Sequence, residues 1–203
     1  MRHDYADCAG RAADTPLFVA IETSALTHDY TTGQLAAAAW AERIADKVAG
    51  MPLGEAGRKA FTAYAAMPGG QEVVDAIKAA LDTPRNSVRW TIESLGGGWV
   101  AEECLAIALN ACLFANGLDG ETDASTAFKY GIECAACHDG DSDSTAAVAG
   151  NMPGLMFPNP ALDFDKRYIP LAESLFQPLL GVHRIIRSDG IDASLPTGLL
   201  FPW

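Results

Sequence analysis

Apolar residues recur along this chain at helical spacing, in alanine-rich blocks, while Val-Ile-Thr runs with strict alternation are almost absent. That pattern predicts an all-α fold. The first helix is expected over Leu17 to Thr27. A second covers Gly33 to Val48, with Leu35, Ala39, Ile44 and Val48 toward one face and Gly50 and Pro52 ending it. Two more fill Leu53 to Ala66 and Glu72 to Leu81, separated by Pro68-Gly69-Gly70, and a short one fits Asn86 to Leu95. From Trp99 to Ala115 almost no polar face remains, which marks a central helix buried nearly all round. Thr122 to Cys137 follows, then Asp143 to about Met156. Pro153 is expected to kink that helix or end it early, and Gly150 and Gly154 to let it lie close to a neighbour. A last helix is expected over Leu171 to Arg187, bent at Pro178.

Composition narrows this picture mainly by exclusion. The 203 residues, 49% of them hydrophobic, suffice for one substantial core, so a single domain over 1–203 is expected. An excess of 26 acidic over 14 basic residues gives a formal charge of −12, which repels phosphate backbones and anionic lipid. Nucleic acid and membrane are therefore not expected partners. No apolar run reaches the roughly 20 residues of a membrane span, and the start Met1-Arg2-His3-Asp4 has no secretory h-region, so the cytoplasm is the expected compartment. Five cysteines, an odd number, fit free thiols in a reducing cell. Cys134 and Cys137 read as buried small hydrophobes on a helix.

The densest chemistry lies at Asp139-Gly140-Asp141-Ser142-Asp143-Ser144-Thr145, which runs into a small-residue helix. Three alternating carboxylates repel one another unless a cation or solvent compensates, and an all-oxygen donor set suits a hard divalent ion. Helix capping accounts for one or two of these residues. A calcium loop of the EF-hand type is disfavoured, because Ser144 stands at the sixth position and Gly150 at the twelfth, where Gly and Glu are needed.

Two segments strongly resemble signature segments of the ADP-ribosylglycohydrolase family: Gly96-Gly97-Gly98-Trp99-Val100-Ala101-Glu102-Glu103-Cys104-Leu105-Ala106-Ile107-Ala108-Leu109 and Gly140-Asp141-Ser142-Asp143-Ser144-Thr145-Ala146-Ala147-Val148-Ala149-Gly150-Asn151. A third, Ser24-Ala25-Leu26-Thr27-His28, is similar to that family's segment ending in Thr-His. The resemblance runs in the family's order, is strongest over 12–157, and implies an all-α orthogonal bundle. It also implies hydrolysis of an N- or O-glycosidic bond to ADP-ribose, on a modified protein or a small metabolite, with two Mg²⁺ or Mn²⁺ ions. By resemblance the metal ligands fall on Asp141, Asp143 and Ser144, with Asp143 as the bridge between the ions. His28 falls beside the ADP-ribose diphosphate, with the helix-end role as its plain structural alternative. Gly97 and Gly98 allow close backbone approach to the ligand, and Trp99 offers a stacking face, although tight helix–loop packing explains the same residues.

No catalytic acid or base is assigned. Glu102 and Glu103 complement a helix dipole as readily as they reach a cleft. His138 and Asp139 replace the small or amide residues that relatives carry before the metal motif; His138 reads either as a donor behind the carboxylates or as a solvated neighbour. The family's first half, with its Thr-Asp-Asp metal segment, has no counterpart here, so the bundle is expected to be incomplete. Its exposed apolar faces are expected to meet that missing half or a second copy of the chain. A member that binds ADP-ribose or metal without turnover, and an all-α interaction protein, are the alternative functions.

Overall fold

The computed structural model describes residues 15–56, 58, 61–85, 89–118 and 121–157. Among them are eight helices and no strand: α1 Pro16–Ser24, α2 Thr31–Val48, α3 Phe61–Ala65, α4 Gly70–Asp82, α5 Arg89–Glu93, α6 Ala101–Gly117, α7 Ala124–Ala136 and α8 Ser142–Met156. The all-α expectation holds. The helix expected over Leu171 to Arg187 lies outside the described residues.

The cap chemistry explains several boundaries. Thr15 accepts the Phe18 N–H and Pro16 takes the first helical position of α1, where a missing N–H does no harm. Asp123 caps α7 through the Thr126 N–H at 3.0 Å and the Thr126 hydroxyl at 2.6 Å. α4 begins after Gly69, whose φ of 75° turns the chain.

Helix α6 is the axis of the fold. Every residue from Cys104 to Leu113 is buried, and α2, α4, α5, α7 and α8 pack around it, with α1 lying on α2. The one polar side chain in the middle of this helix, Asn110, is wholly buried, and its amide donates to the carbonyls of Ala80 and Thr83 at 2.9 and 3.1 Å. Those carbonyls belong to the end of α4, where helical partners run out, so a core amide seals a helix terminus.

Two expectations are corrected, and of the two outcomes expected at Pro153 one is excluded. The segment expected to be helical from Leu53 to Ala66 begins as a turn, closed by the Glu55 and Ala56 N–H groups on Pro52 O, and the described helix there is only α3. Gly54 lowers helix propensity at that point. Pro153 does not end α8 early: the helix runs through it to Met156. Proline removes the bond to the carbonyl four residues back, that of Ala149, and that carbonyl accepts the Cys112 S–H at 3.4 Å instead. The glycine that permits close helix approach is Gly131 of α7, where an added Cβ would stand 2.8 Å from Ala115 Cβ. At Gly150 the nearest atom would be 3.6 Å away, and at Gly154 none lies within 4 Å.

Candidate functional site

Three loops meet near the same end of the bundle: residues 25–30 between α1 and α2, residues 96–100 before α6, and residues 137–141 before α8. Backbone contacts join the last two. Gly97 O accepts the Asp141 N–H at 2.8 Å, and a Cβ at Gly140 would collide with the Gly97 carbonyl. Gly98 has a φ of 76°, and a Cβ there would stand 2.6 Å from the Thr145 methyl. Glycine is thus required on both sides of this seam by space, and at Gly98 by φ as well. The N–H groups of Gly97 and Gly98 both donate to Glu103 Oε2 at 3.1 Å, so they are engaged by the protein's own carboxylate.

That role of Glu103 has a signal in the sequence. It is the third residue of α6, the capping-box position from which a Glu reaches back to preceding N–H groups. Here it reaches beyond the cap to the glycines, and its neighbour Trp99 lays the edge of its indole over Gly97 while remaining 73% exposed. The stacking face expected of Trp99 is open to solvent.

The carboxylates of the acidic run divide into two kinds. Asp139, exposed, pairs with the Arg89 guanidinium, which also bonds Glu93 Oε1 at 2.6 Å, and Glu93 in turn accepts the Asp139 N–H at 3.1 Å. Arg89, first, and then the Asp139 N–H hold the Glu93 carboxyl below its ordinary range. Asp141 and Asp143 have no cationic side chain against them among the described residues. Asp141 and Ser144 are half-buried, and Asp143 is exposed in the first turn of α8. No group of three His, Cys, Asp or Glu side chains placed to hold a metal occurs among the described residues. Two unpaired carboxylates and a hydroxyl at one helix entry are still a donor set suited to a hard cation, with the helix N-terminus opposing it only weakly.

His138 is neither solvated nor directed at a carboxylate. It is 8% exposed, and its Nε2 lies 2.9 Å from the Thr145 hydroxyl.

His28 is exposed, its Nδ1 2.8 Å from the Thr27 hydroxyl and its carbonyl holding the Gln34 amide at 2.7 Å. A hydroxyl proton given to Nδ1 leaves Nε2–H as a donor for an external anion. His28 lines a cleft of about 310 Å³ together with Gly33, Trp40, Cys104 and Val148. Val148 stands one helical turn beyond Ser144 on α8, so the cleft wall leads back toward the acidic segment. Cys104 reports the same proximity: burial first, and then the charge of Asp141, push its thiol up to about 11. A second cleft, about 220 Å³, adjoins His28 through Tyr30, Glu72, Val100 and Glu102.

The structure thus sets Gly97 and Gly98 against the segment that carries Asp141, Asp143 and Ser144, with Trp99 exposed beside them, while His28 lines the clefts walled by Gly33, Trp40, Cys104, Val148, Val100 and Glu102. Cys134 is buried as expected, whereas Cys137 is exposed at the end of α7. No helix among the described residues is long and apolar enough to cross a membrane.

Comparison with known proteins finds no match to this chain among curated proteins or solved structures. A family model described as ADP-ribosylglycohydrolase matches residues 6–165. That span includes all eight described helices and every residue of the site, and the chain belongs to the ADP-ribosylglycohydrolase family.

Proposed function

We propose that this chain takes part in metal-dependent hydrolysis of an ADP-ribosyl glycosidic bond, releasing ADP-ribose from a modified protein or a small metabolite. The supporting observation is the pair of carboxylates, Asp141 and Asp143, left without a cationic partner among the described residues, with Asp141 close enough to Cys104, a wall of the His28 cleft, to add to burial in raising its thiol pKa, in a chain of this family. Asp141, Asp143 and Ser144 would hold Mg²⁺ or Mn²⁺, two ions by family resemblance. When bound, such an ion supplies Lewis-acid polarisation of a sugar hydroxyl and an activated water. The protein's own contribution is orientation: the Gly97 carbonyl fixes Asp141, and Glu103 fixes Gly97. His28 donates from Nε2 to the diphosphate, and Trp99 stacks on a planar portion of the substrate.

A second reading, binding of ADP-ribose or metal without turnover, draws on a specific feature. The described residues bring no third His, Cys, Asp or Glu to Asp141 and Asp143, and a hard cation usually takes six or more oxygen donors. Further donors come from water, substrate or a partner surface. The exposed apolar side chains Leu26, Tyr30, Trp99 and Val100, from the loops bordering these clefts, offer such a partner a place to dock.

Release of free ADP-ribose from ADP-ribosylated protein in millimolar Mg²⁺ tests the proposal. Wild-type release that Asp143→Ala abolishes is the expected outcome. Saturable ADP-ribose binding with no release from wild type would favour the second reading, and neither binding nor release would exclude both.

A further inference from the structure

The geometry points to His138 as a positioning residue for the metal-ligand segment, acting through Thr145; this rests on the cation reading of Asp141, Asp143 and Ser144. Thr145 is wholly buried, and its single hydroxyl proton has a closest acceptor in Ala135 O at 2.7 Å, nearer than Asp141 O at 3.1 Å or Ser142 O at 3.2 Å. With that proton given to Ala135, the hydroxyl oxygen accepts from His138 Nε2–H at 2.9 Å. A relay results, from the His138 N–H through the Thr145 hydroxyl to the Ala135 carbonyl. It stitches the last turn of α7 to the first turn of α8 and closes the loop 137–141 between them. Bonds of this kind polarise one another when shielded from water.

The tautomer fixed by this relay leaves His138 Nδ1 as a bare acceptor, buried and without a hydrogen-bond partner among the described residues. An orphaned buried acceptor is unfavourable, and a phenylalanine would fill the space without one. Packing alone therefore does not account for a histidine here; the Nε2 donor does. What that donor secures is the seat of Thr145, which follows Ser144 directly and whose methyl occupies the space that Gly98 leaves open. On the opposite side the segment is held by Gly97 O on the Asp141 N–H. Asp141 and Ser144 are thus fixed from two directions, and His138 supplies one of them. Mg²⁺ and Mn²⁺ demand near-fixed donor positions, so freeing one anchor weakens binding even though no ligand is removed.

Titration of the full chain with Mn²⁺, reading free Mn²⁺ by electron paramagnetic resonance, tests this with His138→Ala, His138→Gln, Thr145→Val and the Ala/Val double variant. Thermal melts by circular dichroism are run on each. His138→Ala and Thr145→Val should each raise Kd by about tenfold, the usual effect of losing a partner behind a ligand. His138→Gln, which can carry an N–H to the reach of Nε2, should return Kd to within about threefold of wild type. The double variant should bind no more weakly than either single one, because both break the same relay. Saturable wild-type binding with Kd unchanged in His138→Ala, or no rescue by Gln, overturns the role of His138 while leaving the cation reading intact. Wild type that fails to bind Mn²⁺ overturns both. Should His138→Ala not fold, Thr145→Val against the Gln variant carries the same comparison.

Discussion

At Gly98 two demands coincide: a φ of 76° that L side chains rarely adopt, and 2.6 Å between an added Cβ and the Thr145 methyl. Gly98→Ala should therefore destabilise the fold by about 2–3 kcal/mol, strain and overlap each contributing, as read from urea unfolding. A loss under about 0.5 kcal/mol would contradict the seam between Gly98 and Thr145. The cysteines give a second residue-scale expectation. Burial holds the Cys104 and Cys134 thiols up at about 11 and pushes Cys112 up as well, whereas Cys137 is exposed. A thiol whose pKa is higher folded than unfolded adds stability that is complete below its unfolded value near 9 and is lost as pH rises toward 11. Native protein treated with maleimide at pH 8 should be modified at Cys137 well before Cys104 or Cys134, with the last two gaining as pH climbs. Equal rates at pH 8 would contradict their burial. Single residues were also where the sequence was least legible. Asp141, Asp143 and Ser144 stood out by type and spacing, but the burial of His138, the Arg89 pairing of Asp139 and the service of Glu103 to two glycines depend on contacts between distant segments that no local pattern encodes.

Helix α8 runs through Pro153 because another helix completes its hydrogen bonding: Cys112 of α6 donates to the Ala149 carbonyl that proline leaves bare. Removing that donor with Cys112→Ala should cost about 1–3 kcal/mol, the penalty of an unsatisfied buried carbonyl. Pro153→Ala restores an N–H to the same carbonyl and should recover much of the loss in the Cys112→Ala background while gaining little alone. The double-mutant cycle should show coupling above about 0.5 kcal/mol, and strict additivity would contradict the thiol's role. Elements with strong periodicity were legible from sequence. α2, α4, α6 and α7 fall within two or three residues of their expected bounds, and the all-round burial of α6 followed from its lack of a polar face. Two features are set by more than apolar periodicity. Leu53 to Ala66 looked helical by its apolar residues, yet Pro52 and Gly54 favour the turn that forms there, and the continuity of α8 across Pro153 rests on a tertiary donor.

At the largest scale, the described residues form a bundle wrapped on one buried helix, with the loops that enter α2, α6 and α8 carrying the residues proposed for chemistry. A rigid helical scaffold that places functional side chains on loops is a common arrangement, because loops can offer backbone and carboxylates that a helix interior would have to bury. The apolar faces at this end set Leu26, Tyr30 and Trp99 in solvent at 78%, 83% and 73% exposure, beside a chain whose formal charge is −12. The proposed chemistry needs a divalent ion where Asp141, Asp143 and Ser144 enter α8. An anomalous difference map from crystals of the full chain soaked in millimolar Mn²⁺ tests it most directly. A peak within coordination distance of the Asp141 and Asp143 carboxylates that disappears in Asp143→Ala is expected; a map with no peak there at that concentration would rule out the proposed metal site.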